Sequence, residues 1–113
     1  MTDKHKGLYT YIELEGFQRK LDRIGEQGLL ETIQNALSQN PLMGSLLKGG
    51  MRKARIKAPQ RNEGRSGGYR VFFYFVDNKG VIYLIWLLDK RESDNLSPKA
   101  AKILQELAKE IPK

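Results

Sequence analysis

The chain has 113 residues, of which 20 are lysine or arginine, 13 are aspartate or glutamate and none is cysteine. Its length fits one domain, and its 40% of apolar residues argues against intrinsic disorder. The lack of cysteine excludes disulfides, a thiol nucleophile and a thiolate metal site. Because no apolar run is long enough for a membrane span or a signal peptide, we expect one cytoplasmic domain over residues 1–113, with residues 1–7 flexible and no membrane association.

The surplus positive charge is concentrated in residues 48–70. This segment holds eight of the 20 cations and one of the 13 acids, so it accounts for the whole net charge of +7. An even spread would favour solubility alone, whereas this concentration is typical of a surface that binds a polyanion such as a polyphosphate backbone.

The N-terminal half predicts one strand followed by two helices. Residues 8–14 alternate loosely and include aromatic and β-branched residues, which favours a short strand. Apolar residues then recur at helical spacing as far as Gly25, which ends the first helix. A second helix is predicted over residues 26–39, because the proline at position 41 disfavours helix in the residue before it.

The C-terminal half predicts three strands in a meander. Residues 51–58 alternate strictly, and residues 69–76 are dense in aromatic and β-branched side chains. The segment 77–80 has the composition of a hairpin turn. Residues 81–88 are apolar on both faces, which indicates a central, covered strand. The strand aromatics are expected in the core, with Tyr69 and Tyr74 as candidates for an exposed face.

A last helix completes the predicted fold. Ser97 is placed as its N-cap and Pro98 at its first helical position. The predicted class is α+β, a small antiparallel sheet packed against two N-terminal helices and a C-terminal helix, in the order β-α-α-β-β-β-α. The apolar stripe of the last helix comprises Ala100, Ile103, Leu104, Leu107 and Ile111.

Cations of three predicted strand segments are expected to converge. Lys53, Arg55 and Lys57 alternate and must therefore project from one side of their strand. Arg70 opens the next strand, and the basic residues 90 and 91 follow the one after. Like charges on neighbouring strands repel, a cost that a bound anion would remove. The alternative is that these cations simply cover a solvated face.

The ordered motifs resemble a known family. The segments 64–74 (GRSGGYRVFFY), 76–79 (VDNK) and 89–93 (DKRES) are similar to the RelE/HigB toxins of bacterial type II toxin–antitoxin systems. The resemblance covers most of the chain, and the long loop over residues 57–68 is most like the HigB subgroup. It implies a ribosome-dependent endoribonuclease that cuts messenger RNA in the decoding site.

The resemblance also implies site residues. Two tyrosines that relatives carry near the site are replaced here by Leu88 and Ser97. The implied catalytic residues are Lys53, Arg55, Arg70 and Arg91, and Lys90 and Arg65 match basic positions that border the family's site. The basic segment itself adds Lys57, Arg61, Arg52 and Lys48 as candidate RNA- or ribosome-binding residues.

The residues themselves favour a metal-free nuclease. The chain has one histidine, His5, and no carboxylate cluster near the basic segment, so we expect no metal site and no cofactor. RNA can instead be cut by its own 2′-hydroxyl. Arg70 and Arg91 would hold the phosphate oxygens through forked hydrogen bonds, while Lys53 is the candidate for proton transfer because lysine, unlike arginine, can give up its proton.

Two other functions remain open on the sequence. One is a ParE-like toxin that inhibits gyrase through protein contact, and the other is a non-catalytic nucleic-acid-binding protein. The resemblance implies as partners a cognate antitoxin of the HigA-like helix-turn-helix type, the ribosome and messenger RNA. Operator DNA would be contacted only through the antitoxin.

Overall fold

Strands and helices follow the predicted order, with one short strand added. The computed structural model describes residues 8–59, 68–92 and 95–113. The predicted α+β class is confirmed. In this part of the chain the strands are β1 (Thr10–Glu13), β2 (Ser45–Leu46), β3 (Arg52–Ile56), β4 (Tyr69–Val76) and β5 (Val81–Asp89), and the helices are α1 (Glu15–Ile24), α2 (Leu29–Gln39) and α3 (Pro98–Lys109).

The strands form one sheet in the order β1-β5-β4-β3-β2. The strands from β2 to β5 pair antiparallel, as the predicted meander requires, whereas β1 pairs parallel with β5. The parallel pair follows from the connection. The chain leaves β1 through two helices, enters the sheet at its far edge and returns to β1 in the same direction. The sheet is therefore mixed, with the antiparallel part that the sequence predicted.

Helices cover both faces of the sheet. On one face, Phe17 of α1 and Ile33 of α2 share a core with Phe73 of β4. On the opposite face, Leu104 of α3 shares a core with Phe72 of β4. These are called the α1/α2 face and the α3 face below. Because β4 and β5 contribute to both cores, the prediction of a central strand covered on both sides is confirmed.

A β-bulge in β5 adjusts its side chains to the two cores. The register passes from Phe73 opposite Leu84 to Phe72 opposite Trp86, which leaves Ile85 as the extra residue. Leu84 packs into the core of the α1/α2 face, whereas the consecutive residues Ile85 and Trp86 both pack against the core of the α3 face. The bulge therefore shifts the alternation of β5 by one residue, and it sets which face every later side chain of the strand occupies.

The predicted helix ends are observed, with one shift. Helix α1 ends at Gly25 in the left-handed region (φ 66°), and the Gly25 amide donates to the carbonyl oxygen of Leu21 at 3.0 Å. Helix α2 begins at Leu29 rather than at position 26, because Gly28 adopts a second left-handed conformation (φ 83°) just before it.

The buried flank of α3 differs from the predicted stripe at one position. Leu104 and Ile111 are buried, as predicted, and Ala108 lies with them. Ile103 is 52% exposed, so its assignment to the apolar stripe was wrong. The helix packs along the line of positions 104, 108 and 111, and a residue immediately before Leu104 points about 100° away from that line.

The cap of α3 generates a stability prediction. The Ser97 hydroxyl accepts a hydrogen bond from the Ala100 amide at 3.1 Å, and Pro98 opens the helix. We expect Ser97→Ala to lower the free energy of unfolding by about 1 kcal/mol, because an N-terminal amide loses its partner. Urea denaturation measures the loss. Ser97→Thr should retain most of the stability, and equal losses in the two variants would contradict the cap.

Glu13 gives the fold a pH dependence. Burial raises the pKa of the Glu13 carboxyl above 4.5, and the nearby Asp22 carboxylate adds to the rise. The stability associated with this shift is present below about pH 4.5 and is lost as the pH rises through the raised value. We expect Glu13→Gln to be more stable than the wild type at pH 7 and to lose that advantage below pH 4.5. Denaturation at both pH values tests this, with the exposed Glu15→Gln as the control.

Candidate functional site

Strand β3 presents cations on one face and apolar residues on the other. Ala54 and Ile56 are buried in the core of the α1/α2 face. Lys53 and Arg55 alternate with them and therefore project from the α3 face. Lys57 has the same parity one residue beyond the strand and is exposed. The predicted alternation of this segment is confirmed.

Strand β4 adds a third cation directly beside these two. Arg70 is the Cα partner of Arg55, and Lys53 is the Cα partner of Phe72, whose ring belongs to the core of the α3 face. Directly opposite residues in an antiparallel pair have Cβ atoms roughly 5 Å apart. Arg55 is exposed, whereas Lys53 and Arg70 are half-buried. Three of the four predicted catalytic residues thus form one basic cluster, defined as Lys53, Arg55 and Arg70.

Arg91 is held away from this cluster by an acid. Its guanidinium donates to both carboxylate oxygens of Asp89, at 3.4 and 3.1 Å, and its amide donates to the same carboxylate at 3.0 Å. Asp89 is buried, and its Cα partner is Tyr69, which belongs to the core of the α1/α2 face. The side chain of Arg91 is 58% exposed. The Asp89–Arg91 pair therefore lies on the α1/α2 face, whereas the basic cluster projects from the α3 face, so the expectation that Arg91 converges with the other three cations was wrong.

The surroundings of Arg91 contain both basic and acidic side chains. Arg91 lines a depression of about 340 Å³ together with Lys20 and Arg23 of α1 and with Glu26 and Tyr69. The Tyr69 hydroxyl donates to the Glu26 carboxylate. Tyr69 is therefore buried and bonded on this side of the sheet, and the expectation that it could expose a face was wrong.

The predicted RNA- or ribosome-binding residues other than Arg52 lie in different parts of the chain. Lys48 is exposed beside the α3 face, and Lys90 is half-buried after β5, where its amide donates to the carbonyl oxygen of Gly68 at 3.0 Å. Lys57 continues the basic side of β3. Arg61 and Arg65 lie outside the residues that the structure describes.

Arg52 has a structural role that the sequence analysis missed. Its guanidinium donates to the carbonyl oxygens of Leu42 at 2.7 Å, Met43 at 3.2 Å and Gly44 at 3.4 Å. These contacts fasten the segment between α2 and β2 to β3. The sequence alternation already indicates this role. Arg52 has the parity of the buried Ala54 rather than that of Lys53, so its side chain does not lie on the basic face.

The two positions at which the resemblance implied a tyrosine have apolar and capping roles here. Leu88 is buried and is the Cα partner of Arg70, so it forms an apolar neighbour for that guanidinium. Ser97 caps α3. A tyrosine that does keep a partly exposed ring on the α3 face is Tyr74, four residues along β4 from Arg70.

The described residues contain neither a metal-binding cluster nor a membrane-spanning helix. Residues 8–59, 68–92 and 95–113 contain no group of three or more histidine, cysteine, aspartate or glutamate side chains that could hold a metal ion. None of the helices described in these ranges is long and apolar enough to cross a membrane.

The fold is that of a known class of bacterial toxin. A free E. coli RelE double mutant matches with a TM-score of 0.56 at 19% identity, covering 85% of this chain and 97% of that one. The isolated E. coli RelE toxin matches with a TM-score of 0.55 at 15% identity, covering 88% and 98%. In the intact E. coli RelBE toxin–antitoxin complex, a chain matches with a TM-score of 0.54 at 20% identity, covering 72% and 95%.

The sequence family agrees with the fold. The model described as RelE toxin of the RelE/RelB toxin–antitoxin system matches residues 11–113, so the chain belongs to the RelE toxin family. The resemblance to RelE toxins is confirmed, and the assignment to the HigB subgroup stays a prediction.

The Asp89–Arg91 pair generates a prediction. Asp89 is buried and accepts three hydrogen bonds from Arg91, so we expect Asp89→Asn to lower the free energy of unfolding by about 1–2 kcal/mol. Denaturant unfolding measures the change. Asp77→Asn removes the same charge from an exposed turn and is the matched control. Equal stability of the two variants would show that the pair contributes nothing.

Proposed function

We propose that this RelE-family toxin is an endoribonuclease that cuts messenger RNA on the ribosome and thereby arrests translation. The observation that carries the proposal is the basic cluster, in which Arg55 and Arg70 are cross-strand partners and Lys53 lies on the same face. Mutual repulsion makes such an arrangement costly in the free protein, and a bound phosphodiester removes that cost.

The proposed chemistry uses the substrate's own hydroxyl. The 2′-oxygen of the RNA attacks the adjacent phosphorus, the bond to the 5′-oxygen breaks, and the products are a 2′,3′-cyclic phosphate and a 5′-hydroxyl. The proton lost by the 2′-hydroxyl is balanced by the proton that the leaving oxygen gains. A 2′-hydroxyl requirement restricts the reaction to RNA.

Each cation has a distinct role in this scheme. Arg70 and Arg55 neutralise the charge that develops on the pentacoordinate phosphate, through forked hydrogen bonds. Lys53 transfers a proton at the reacting oxygens. Lys57, Lys90 and Lys48 add attraction for the RNA backbone.

The proposed partners follow the family. E. coli RelE is seen in complex with its antitoxin, and we propose a cognate antitoxin for this chain, of the HigA-like helix-turn-helix type, that contacts the operator DNA. The toxin itself would act on ribosomes in the cytoplasm.

The basic cluster supplies the decisive test. We expect Arg70→Ala to lower the rate of messenger-RNA cleavage on programmed ribosomes by about 10²–10³-fold, as loss of one preorganised donor to a developing oxyanion does. Lys102→Ala removes an equal charge from the exposed side of α3 and should retain the wild-type rate.

The chemical ends of the cleavage products and the response of cells to the toxin distinguish the proposed nuclease from the two alternative functions. A cleavage product with a plain 3′-hydroxyl, or wild-type cleavage by Arg70→Ala, would overturn the proposed chemistry. Induction of a DNA-damage response without messenger-RNA cuts would indicate a gyrase inhibitor, and an absence of toxicity would indicate a non-catalytic binding protein.

A further inference from the structure

A recess lies on the α3 face beside the basic cluster. It has a volume of about 320 Å³, within the lower range of pockets that hold small molecules. Met51 and Phe72, each 2% exposed, provide apolar surface inside it. Lys53 lines the same recess, so the candidate proton-transfer residue also borders an apolar cavity. The function proposed above gives this cavity no role.

The polar lining of the recess is cationic or amide. Lys48 and Lys53 supply the charge, and Asn95 and Gln105, the latter on α3, supply amides that can both donate and accept hydrogen bonds. Ala101, one turn earlier on α3, keeps the helical wall small. None of the described residues that line the recess is acidic.

We propose that the recess binds one nucleobase of the substrate RNA, next to the phosphate held by the basic cluster. A nucleobase presents apolar faces to the walls of such a cavity and a polar edge to an amide. Its phosphate then extends towards Lys53, and Arg55 follows roughly 7 Å further along the strand. The inference rests on the proposed function, and it assigns base selection to Gln105.

Charge and chemistry favour a base over a protein side chain. An apolar side chain from an antitoxin would fill the cavity, but it would leave the lysines without an anion and the Gln105 amide without a partner. An RNA nucleotide offers a partner to each kind of lining group, because its base contacts the apolar walls and the amides and its phosphate contacts the lysines. Occupation by the antitoxin is therefore the competing outcome that the experiment has to detect.

Binding of mononucleotides tests the recess without any catalysis. In ¹H–¹⁵N NMR titrations with 5′-AMP, 5′-GMP, 5′-CMP and 5′-UMP, we expect the Gln105 side-chain amide and the Ala101 backbone amide to shift with at least one nucleotide. Inorganic phosphate should not shift them. Ala101→Leu, which fills the recess, should abolish the nucleotide shifts, and Lys102→Leu, which adds the same side chain on the exposed side of α3, should leave them unchanged.

Cleavage on programmed ribosomes then links the recess to the substrate. We expect Ala101→Leu to lower the cleavage rate at least about tenfold, from the loss of one base contact, and Gln105→Ala to change the base preference at the cut site. Thermal unfolding of both variants and of Lys102→Leu controls for damage to the fold.

The outcomes separate this inference from the proposed function. Absence of nucleotide-specific shifts, or wild-type binding and cleavage by Ala101→Leu, overturns the recess while leaving the Arg70→Ala test intact. If Ala101→Leu loses only antitoxin binding, the cavity serves the antitoxin and the inference is wrong. Nucleotide binding by a chain that cuts no RNA would support the recess and contradict the nuclease.

Discussion

The burial of β4 on both of its faces is the constraint on which the rest of the structure depends. Val71 and Phe73 belong to one core and Phe72 to the other, so a slip of one residue would turn each of them to the wrong side. Each such burial stabilises the fold by about 1.5–3 kcal/mol. The orientation of Arg70 is therefore fixed by its apolar neighbours, because it shares the parity of Phe72.

This arrangement explains how the fold tolerates its basic cluster. Like charges directly opposite each other, such as Arg55 and Arg70, destabilise a sheet by about 0.2–1 kcal/mol. The apolar burial along β4 outweighs that amount several times over. Under the proposed function, a bound phosphate would neutralise this repulsion at the place where charge develops during the reaction.

The parts of the fold that follow a local period were predictable from the sequence, and those that depend on distant segments were not. The two-residue alternation placed Lys53 and Arg55 on one side correctly, and the Ser97 cap is a local signal as well. The parallel pairing of β1 with β5 joins segments about 70 residues apart and leaves no periodic trace, and β2 is too short to have one. Arg91 lies in a turn, where no alternation fixes the direction of a side chain, so its partner Asp89 could not be inferred.

The parallel pairing of β1 with β5 also orders events during synthesis of the chain. Since β1 is made first and its partner ends at Asp89, a nascent chain cannot complete its sheet until most of its length has left the exit tunnel. Arg91 and α3 emerge later still. Until then, the apolar flanks of α1 and α2 have no complete sheet to pack against. The sheet is therefore completed only after the ribosome has made β5, the last strand in chain order.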